Sequence, residues 1–189
     1  MYLLLWTLHI PQFSFVEVMF PHNILFVSCL ILGIQVIKSL EVIPERANVT
    51  FSNPEYASNV RIYVRRFRRN SANYINFMGT NKQTWTNNIT IDFTISQYLN
   101  YEYRPTYVGH YKFCDLVNRE PFIGGAIKNS GLVCPLPAGY HAVRNITAPT
   151  ENFPNVFPFE KGRIDFTASL TSTSEPVLKL FIEARFKQN

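Results

Sequence analysis

The sequence is poor in the residues that catalysis and metal binding require. It has four histidines, three cysteines and only 16% charged residues. It contains no Gly-x-Ser-x-Gly nucleophile motif and no cluster of metal-ligand residues. The acids Asp115 and Glu120 are interpreted as turn and surface charges of a loop, and not as a general acid–base pair. The sequence therefore predicts neither an enzyme nor a bound cofactor or metal.

Long amphipathic helices are also missing, so helix is expected to be minor. In their place, Ile89, Ile91, Phe93 and Ile95 alternate with polar residues, which is typical of a strand with one buried face. The same alternation runs through 164–170 and 178–186, on either side of a polar turn, and predicts a C-terminal antiparallel hairpin. Aromatic residues make up 15% of the chain, which also favours strands. The expected fold class is all-β, a two-sheet antiparallel sandwich or cup.

The first 39 residues differ from the rest. Ile24–Ile37 is an uncharged apolar run of 14 residues, which suits a signal-peptide core and is short for a membrane span. We expect residues 1–39 to be a signal peptide cleaved after Ser39, with Met19 as an alternative initiator. An uncleaved anchor is the other interpretation. Residues 40–189 then form a single secreted domain without a transmembrane anchor.

Three acceptor motifs for N-glycosylation follow the leader, at Asn48, Asn88 and Asn145. A single motif of this kind arises easily by chance. Three motifs behind a signal-like leader, together with two pairable cysteines, agree on the secretory pathway and an extracellular protein. That location makes nucleic acid an unsuitable partner.

The segment 111–137 contains Cys114 and Cys134, the two cysteines that lie outside the leader. We interpret it as an irregular segment closed by a disulfide between them, worth about 3 kcal/mol in the chain-entropy model. Free buried thiols are one alternative. Metal binding with the flanking His110 and His141 is another, although the intervals do not fit a compact zinc finger.

Positive charge is concentrated in one run. The formal net charge is +5, and five arginines fall within nine positions: Arg61, Arg65, Arg66, Arg68 and Arg69. The run predicts either an exposed edge strand, where charge discourages edge-to-edge pairing, or a docking patch for an anionic surface or receptor. The following segment from Asn70 to Thr80, which contains turn formers and ends in Met78-Gly79-Thr80, is interpreted as a hairpin connection.

Tyrosine is concentrated just after the first clean alternation. The group consists of Tyr98, Tyr101, Tyr103, Tyr107 and Tyr111. Such residues either line a pocket or half-pack the surface of a sheet, and the sequence leaves both open.

Several short motifs resemble a family of small secreted insect proteins. They are Phe113-Cys114-Asp115, the element Cys134-Pro135-Leu136-Pro137-Ala138-Gly139-Tyr140, and spaced prolines before Lys161-Gly162-Arg163-Ile164-Asp165. The segments 66–70 and 77–80 resemble the upstream pattern of the same family. That family is related to the ML lipid-recognition superfamily and to the ganglioside-activator proteins. The resemblance covers roughly Leu40 to Asn189.

This resemblance implies an immunoglobulin-like, ML-type cup that holds a lipid or another hydrophobic molecule. It also implies lipid presentation or, for the insect branch, chemosensation of hydrophobic cues. One departure is that ganglioside activators carry several disulfides, whereas residues 40–189 allow one.

The predicted function is a secreted binder or carrier of a hydrophobic ligand. The expected lining residues face inwards from the alternating strands: Ile89, Ile91, Phe93, Ile95, Ile164, Phe166, Leu178, Leu180 and Ile182. The same alternation would suit a filled sandwich core. The alternative function is an extracellular interaction module or co-receptor subunit without a lipid ligand.

Overall fold

The computed structural model describes residues 40–69, 71–148 and 159–188. In these ranges it contains eight strands and two short helices, in the order β1 Leu40–Ser52, β2 Ala57–Arg66, β3 Asn73–Asn81, β4 Ile89–Leu99, β5 Glu102–Lys112, α1 Phe113–Arg119, α2 Ile123–Asn129, β6 Gly139–Ile146, β7 Lys161–Leu170 and β8 Pro176–Gln188. The predicted signal peptide lies outside the described residues, as does most of the proline-rich connection before β7. No helix in the described ranges is long and apolar enough to cross a membrane.

The strands form two antiparallel sheets. The five-stranded sheet has the order β1-β8-β7-β4-β5, and the three-stranded sheet has the order β2-β3-β6. In the predicted C-terminal hairpin, β7 pairs with β8, with Ile164 opposite Ile182. The predicted all-β, two-sheet antiparallel sandwich is therefore confirmed.

Strand β4 shows why the alternating segments fold as predicted. Its four apolar residues, Ile89, Ile91, Phe93 and Ile95, are all buried on one face, and Phe93 is 1% exposed. The Phe93 ring lies across Gly109 of β5, where a Cβ atom would overlap it. Burial of a phenylalanine or isoleucine side chain contributes about 1.5–3 kcal/mol, so this row anchors the core.

The hairpin connection expected over Asn70–Thr80 ends earlier than predicted, because β3 already begins at Asn73, and its assignment to Met78-Gly79-Thr80 is wrong. These residues lie inside β3, which pairs with β2 on one side and β6 on the other. The glycine serves close packing, since a Cβ at Gly79 would lie 3.2 Å from Cγ2 of Val60. A glycine within a strand can mark a close approach as well as a turn.

The segment between Cys114 and Cys134 was expected to be irregular. Most of it is helical instead. It holds α1 and α2, each seven residues long. Helix α1 buries Phe113, Leu116 and Val117. Gly124 of α2 lies so close to the carbonyl oxygen of Leu116 that a Cβ would overlap it. Helices shorter than two turns give too few residues to establish a 3.6-residue period, so the sequence pattern missed them.

Candidate functional site

An apolar cavity of about 270 Å³ lies between the two sheets. Residues from both sheets and from both helices line it. Among the residues that the structure describes, none of those lining the cavity is Asp, Glu, Lys or Arg. This part of the lining can hold an uncharged apolar group by contact and supplies no ionic anchor.

Seven of the nine predicted lining residues are on the cavity wall. They are Ile91, Ile95, Ile164, Phe166, Leu178, Leu180 and Ile182, all from the five-stranded sheet. The other two, Ile89 and Phe93, are 0% and 1% exposed and do not line the cavity. Phe93 instead packs against Tyr111, at 6.0 Å between ring centroids, and against Phe166. Contact of any of the nine with a ligand stays a prediction.

Sequence reasoning missed the opposite wall. The three-stranded sheet contributes Val60, Ile62, Ile75 and Phe77. The helices add Leu116, Ile123 and Ile127. In β2, Ile62 and Val64 alternate with Arg61 and Tyr63, which is the pattern of a half-buried strand. The sequence interpretation rested on the charge of the arginines and did not assign the apolar residues to the core.

Trp85 is another lining residue that the sequence did not reveal, because it stands in the loop between β3 and β4. Its backbone makes two hydrogen bonds with Leu136, N–H to O at 2.8 Å and O to N–H at 3.0 Å. Its ring meets Phe113 edge-on, with centroids 5.7 Å apart. Its indole N–H is buried and has no hydrogen-bond partner in the described structure. Such an unpaired donor costs about 1–3 kcal/mol.

Two of the few polar lining residues, Asn81 and His141, form side-chain hydrogen bonds with backbone carbonyl oxygens. The Asn81 amide donates to Gln83 O at 2.9 Å and to Pro137 O at 2.8 Å. His141 Nε2 lies 2.9 Å from Pro137 O, which can only accept. The two contacts to Pro137 connect the end of β3 and the start of β6 to the segment that precedes β6.

Cys114 and Cys134 form the predicted disulfide, with their Cα atoms 5.2 Å apart. The bond joins the first turn of α1 to the residues just before Leu136. The nearby histidines have other partners, since His110 Nδ1 lies 2.5 Å from Asp92 and His141 contacts Pro137. Within the described ranges no three metal-binding side chains cluster.

The tyrosine group does not line the cavity. Tyr98 and Tyr103 pack against each other at 5.0 Å, and Tyr101 is 92% exposed at the tip of the β4–β5 turn. Tyr111 stacks on Phe93, and a hydrogen bond with Tyr107 raises the pKa of Tyr111. Apart from Tyr101, these residues pack partly against the five-stranded sheet, which agrees with the interpretation that they half-pack a sheet surface.

The predicted surface residues are exposed. Asn48, Asn88 and Asn145 all lie at exposed positions, and their glycosylation stays a prediction. The predicted arginines are exposed too: Arg61, Arg65, Arg66, Arg68 and Arg69. None of the five forms a salt bridge within the described part of the chain.

The fold and cavity together define a two-sheet β-sandwich with an apolar interior site. Among solved structures, the chain is similar to the crystal structure of a Niemann-Pick type C2 protein from the Japanese carpenter ant. The match has 12% sequence identity and a TM-score of 0.32, and it covers 78% of this chain and 93% of that chain. No protein-family model and no curated protein matches the sequence. A similarity at this level supports no conclusion about function, which has to come from the cavity.

Proposed function

We propose that the protein is a secreted, non-catalytic binder or carrier of a hydrophobic molecule held between its two sheets. The observation that carries this proposal is the cavity of about 270 Å³, whose described lining residues include no Asp, Glu, Lys or Arg. Protein interiors are normally packed to crystal-like density, with few voids larger than a water molecule. Apolar cavities of about 150 Å³ stay dry and accept small apolar molecules.

Binding would be non-covalent and driven by removal of apolar surface from water, at about 25 cal/mol per Å². The resemblance to the insect relatives of the ML superfamily supports a lipid or hydrocarbon-like ligand and a chemosensory role. Cleavage after Ser39 and the single domain 40–189 belong to the same proposal.

Enlargement of a lining side chain tests whether the cavity is usable space. Ile91 lines the cavity, whereas Ile89, two residues away on the same face of β4, does not. We expect Ile91→Trp to leave the free energy of unfolding nearly unchanged and to reduce binding of a fluorescent hydrophobic probe. The matched control Ile89→Trp should lower stability by about 1–3 kcal/mol or more, because it overpacks a filled site.

Equal destabilisation by both variants, with no probe bound by the parent protein, would contradict the proposal and favour a filled core. A second measurement does not depend on the variants. Mass spectrometry of a solvent extract from the secreted protein should find a retained hydrophobic molecule.

A second candidate function, docking to an anionic surface or receptor, is favoured by the charge of the three-stranded sheet. Strands β2, β3 and β6 contain no Asp or Glu, but they carry Arg61, Arg65, Arg66 and Arg144. Exposed aromatic rings lie among these charges, with Tyr63 38% and Phe67 50% exposed. The face therefore presents uncompensated positive charge beside apolar contact area.

The charge-removing double variant Arg61→Gln with Arg65→Gln tests this candidate. It should weaken binding to heparin or to vesicles that contain phosphatidylserine, and salt should weaken the parent's binding. The control pair Lys112→Gln with Lys179→Gln removes the same charge from the five-stranded sheet. If both double variants lose the same amount of binding, net charge alone explains the binding, and the three-stranded sheet is not a specific docking surface.

A further inference from the structure

We infer that the molecule bound in the cavity carries a neutral oxygen that accepts a hydrogen bond from the indole N–H of Trp85. The inference rests on the proposed function and names the chemical class of its ligand. That class is an apolar molecule with a hydroxyl, carbonyl or ester oxygen, as distinct from a plain hydrocarbon or an ionised fatty acid.

The first observation is the unpaired donor. Trp85 lines the cavity and is 9% exposed, yet its N–H has no acceptor in the described structure. An indole can only donate a hydrogen bond, so no change of tautomer or rotation of an amide can satisfy it. Buried polar groups in proteins almost always have partners, so an exception at a cavity wall requires an explanation, and an acceptor on a bound ligand would supply it.

The second observation is a shortage of acceptors around the same loop. Gln83, two residues before Trp85, has a buried side-chain N–H₂ group that is also without a partner in the described structure. The backbone N–H and C=O of Trp85 are both hydrogen-bonded to Leu136, and its ring contacts Phe113 edge-on. The backbone of the residue is thus fixed, while the only polar group of its side chain stays unpaired.

The third observation concerns charge. Because the lining residues within 40–69, 71–148 and 159–188 include no Lys or Arg, a carboxylate in contact with them would lose its hydration without gaining a counter-charge. A neutral oxygen avoids that cost and satisfies the donor. The indole nitrogen is covered by its neighbours in the described structure, so the inference requires the ring to turn towards the cavity when the oxygen binds.

The test uses the secreted protein and three probes that share a chain length: dodecane, dodecan-1-ol and dodecanoate. Trp85 is the only tryptophan after residue 39, so its indole N–H resonance in a ¹⁵N NMR spectrum is unambiguous. We expect that resonance to move downfield with dodecanol and not with dodecane. The dodecanol-to-dodecane affinity ratio should fall about tenfold in Trp85→Phe, which removes the donor and keeps an aromatic ring.

The possible failures are distinguishable. If none of the three probes binds the parent protein, the proposed function fails. If dodecane and dodecanol bind but the indole resonance does not move and the affinity ratio is unchanged, this inference is overturned and the proposed function stands. Tighter binding of dodecanoate than of dodecanol at neutral pH would overturn the neutral-oxygen class. The resonance is measured on the parent protein, so the result does not depend on how well Trp85→Phe folds.

Discussion

The two sheets differ in how far their basic side chains are paired with acids. The five-stranded sheet pairs acids with bases on its outer surface, as in Arg163–Asp165 at 2.6 Å and Lys187–Glu41 at 4.0 Å. Arg185 likewise pairs with Glu45. The three-stranded sheet has no acid in any of its strands. The five-stranded sheet therefore pairs several of its charges internally, whereas the arginines of the three-stranded sheet form no salt bridge among the described residues.

The outer face of the five-stranded sheet also covers its own aromatic residues. Phe181 points away from the cavity, since its neighbours Leu180 and Ile182 line it, yet Phe181 is only 5% exposed. The guanidinium groups of Arg163 and Arg46 lie 4.1 Å and 5.3 Å from its ring centroid. The comparison teaches that the five-stranded sheet covers Phe181 with its own arginine side chains, whereas Tyr63 of the three-stranded sheet is 38% exposed.

The largest expected effect is the loss of the bond that links the two sheets. The disulfide ties α1, which follows β5, to the segment that leads into β6. Cys134→Ser should lower the free energy of unfolding by about 2–5 kcal/mol in a denaturant titration. The neighbouring control Val133→Ser, at a 54% exposed position, should change it by less than about 0.5 kcal/mol. Equal effects of the two variants would count against a structural role for the bond.

The next effect compares one buried glycine from each sheet. Gly109→Ala forces the buried Phe93 ring to move and should cost about 1–3 kcal/mol. Gly79→Ala meets Val60 at 3.2 Å, where a small shift suffices, and should cost less than about 1 kcal/mol. Thermal unfolding of both variants measures the difference. A larger cost at Gly79 would show that the three-stranded sheet is the more tightly packed of the two.

Arg163 and Arg61 allow a paired charge on the five-stranded sheet to be compared with an unpaired charge on the three-stranded sheet. Arg163→Met keeps an apolar stem but removes the cation over Phe181 and the pair with Asp165, so it should cost about 1–2 kcal/mol. Arg61→Met removes a charge without a salt bridge among the described residues and should change stability by less than about 0.5 kcal/mol. Urea unfolding provides both values. The contrast between the sheets fails if Arg61→Met costs as much as Arg163→Met.

The smallest effect is a pH dependence that involves Tyr103 of the five-stranded sheet. Burial, with the charge of Glu183 and a hydrogen bond to it, raises the pKa of Tyr103 above its ordinary value. The folded state therefore holds the phenolic proton more tightly. The resulting stability is complete below about pH 10, the ordinary tyrosine pKa, and is lost as pH rises through the raised value.

Removing Glu183 should bring the pKa of Tyr103 back towards its ordinary value. Titration of the Tyr103 ring carbon by NMR in Glu183→Gln measures the change. Glu102→Gln, which removes a neighbouring exposed acid on β5, is the control and should leave the titration in place. An unchanged curve in Glu183→Gln would leave burial as the whole cause.

Sequence alone could predict the five-stranded sheet better than the three-stranded sheet. Strands β4, β7 and β8 carry long alternations that only a half-buried strand explains, so their side chains on the cavity wall were foreseeable. In β3, Gly79 was interpreted as part of a turn because glycine is common in turns. In β2, the arginines between the apolar residues weakened the evidence that Val60 and Ile62 face the interior. Trp85 reaches the cavity from a loop that has no period, and only the tertiary structure shows that its N–H is unpaired. The order of strands in each sheet depends on long-range pairing, which no local pattern encodes.

Strand β2 places both proposed surfaces within six consecutive residues. Val60 and Ile62 face the cavity, while Arg61, Tyr63 and Arg65 are exposed on the other side. Because successive side chains of a strand point to opposite faces, alternate positions can be redesigned separately. An engineer could thus change ligand preference at positions 60 and 62 and surface attachment at 61 and 65, within one short cassette of the gene.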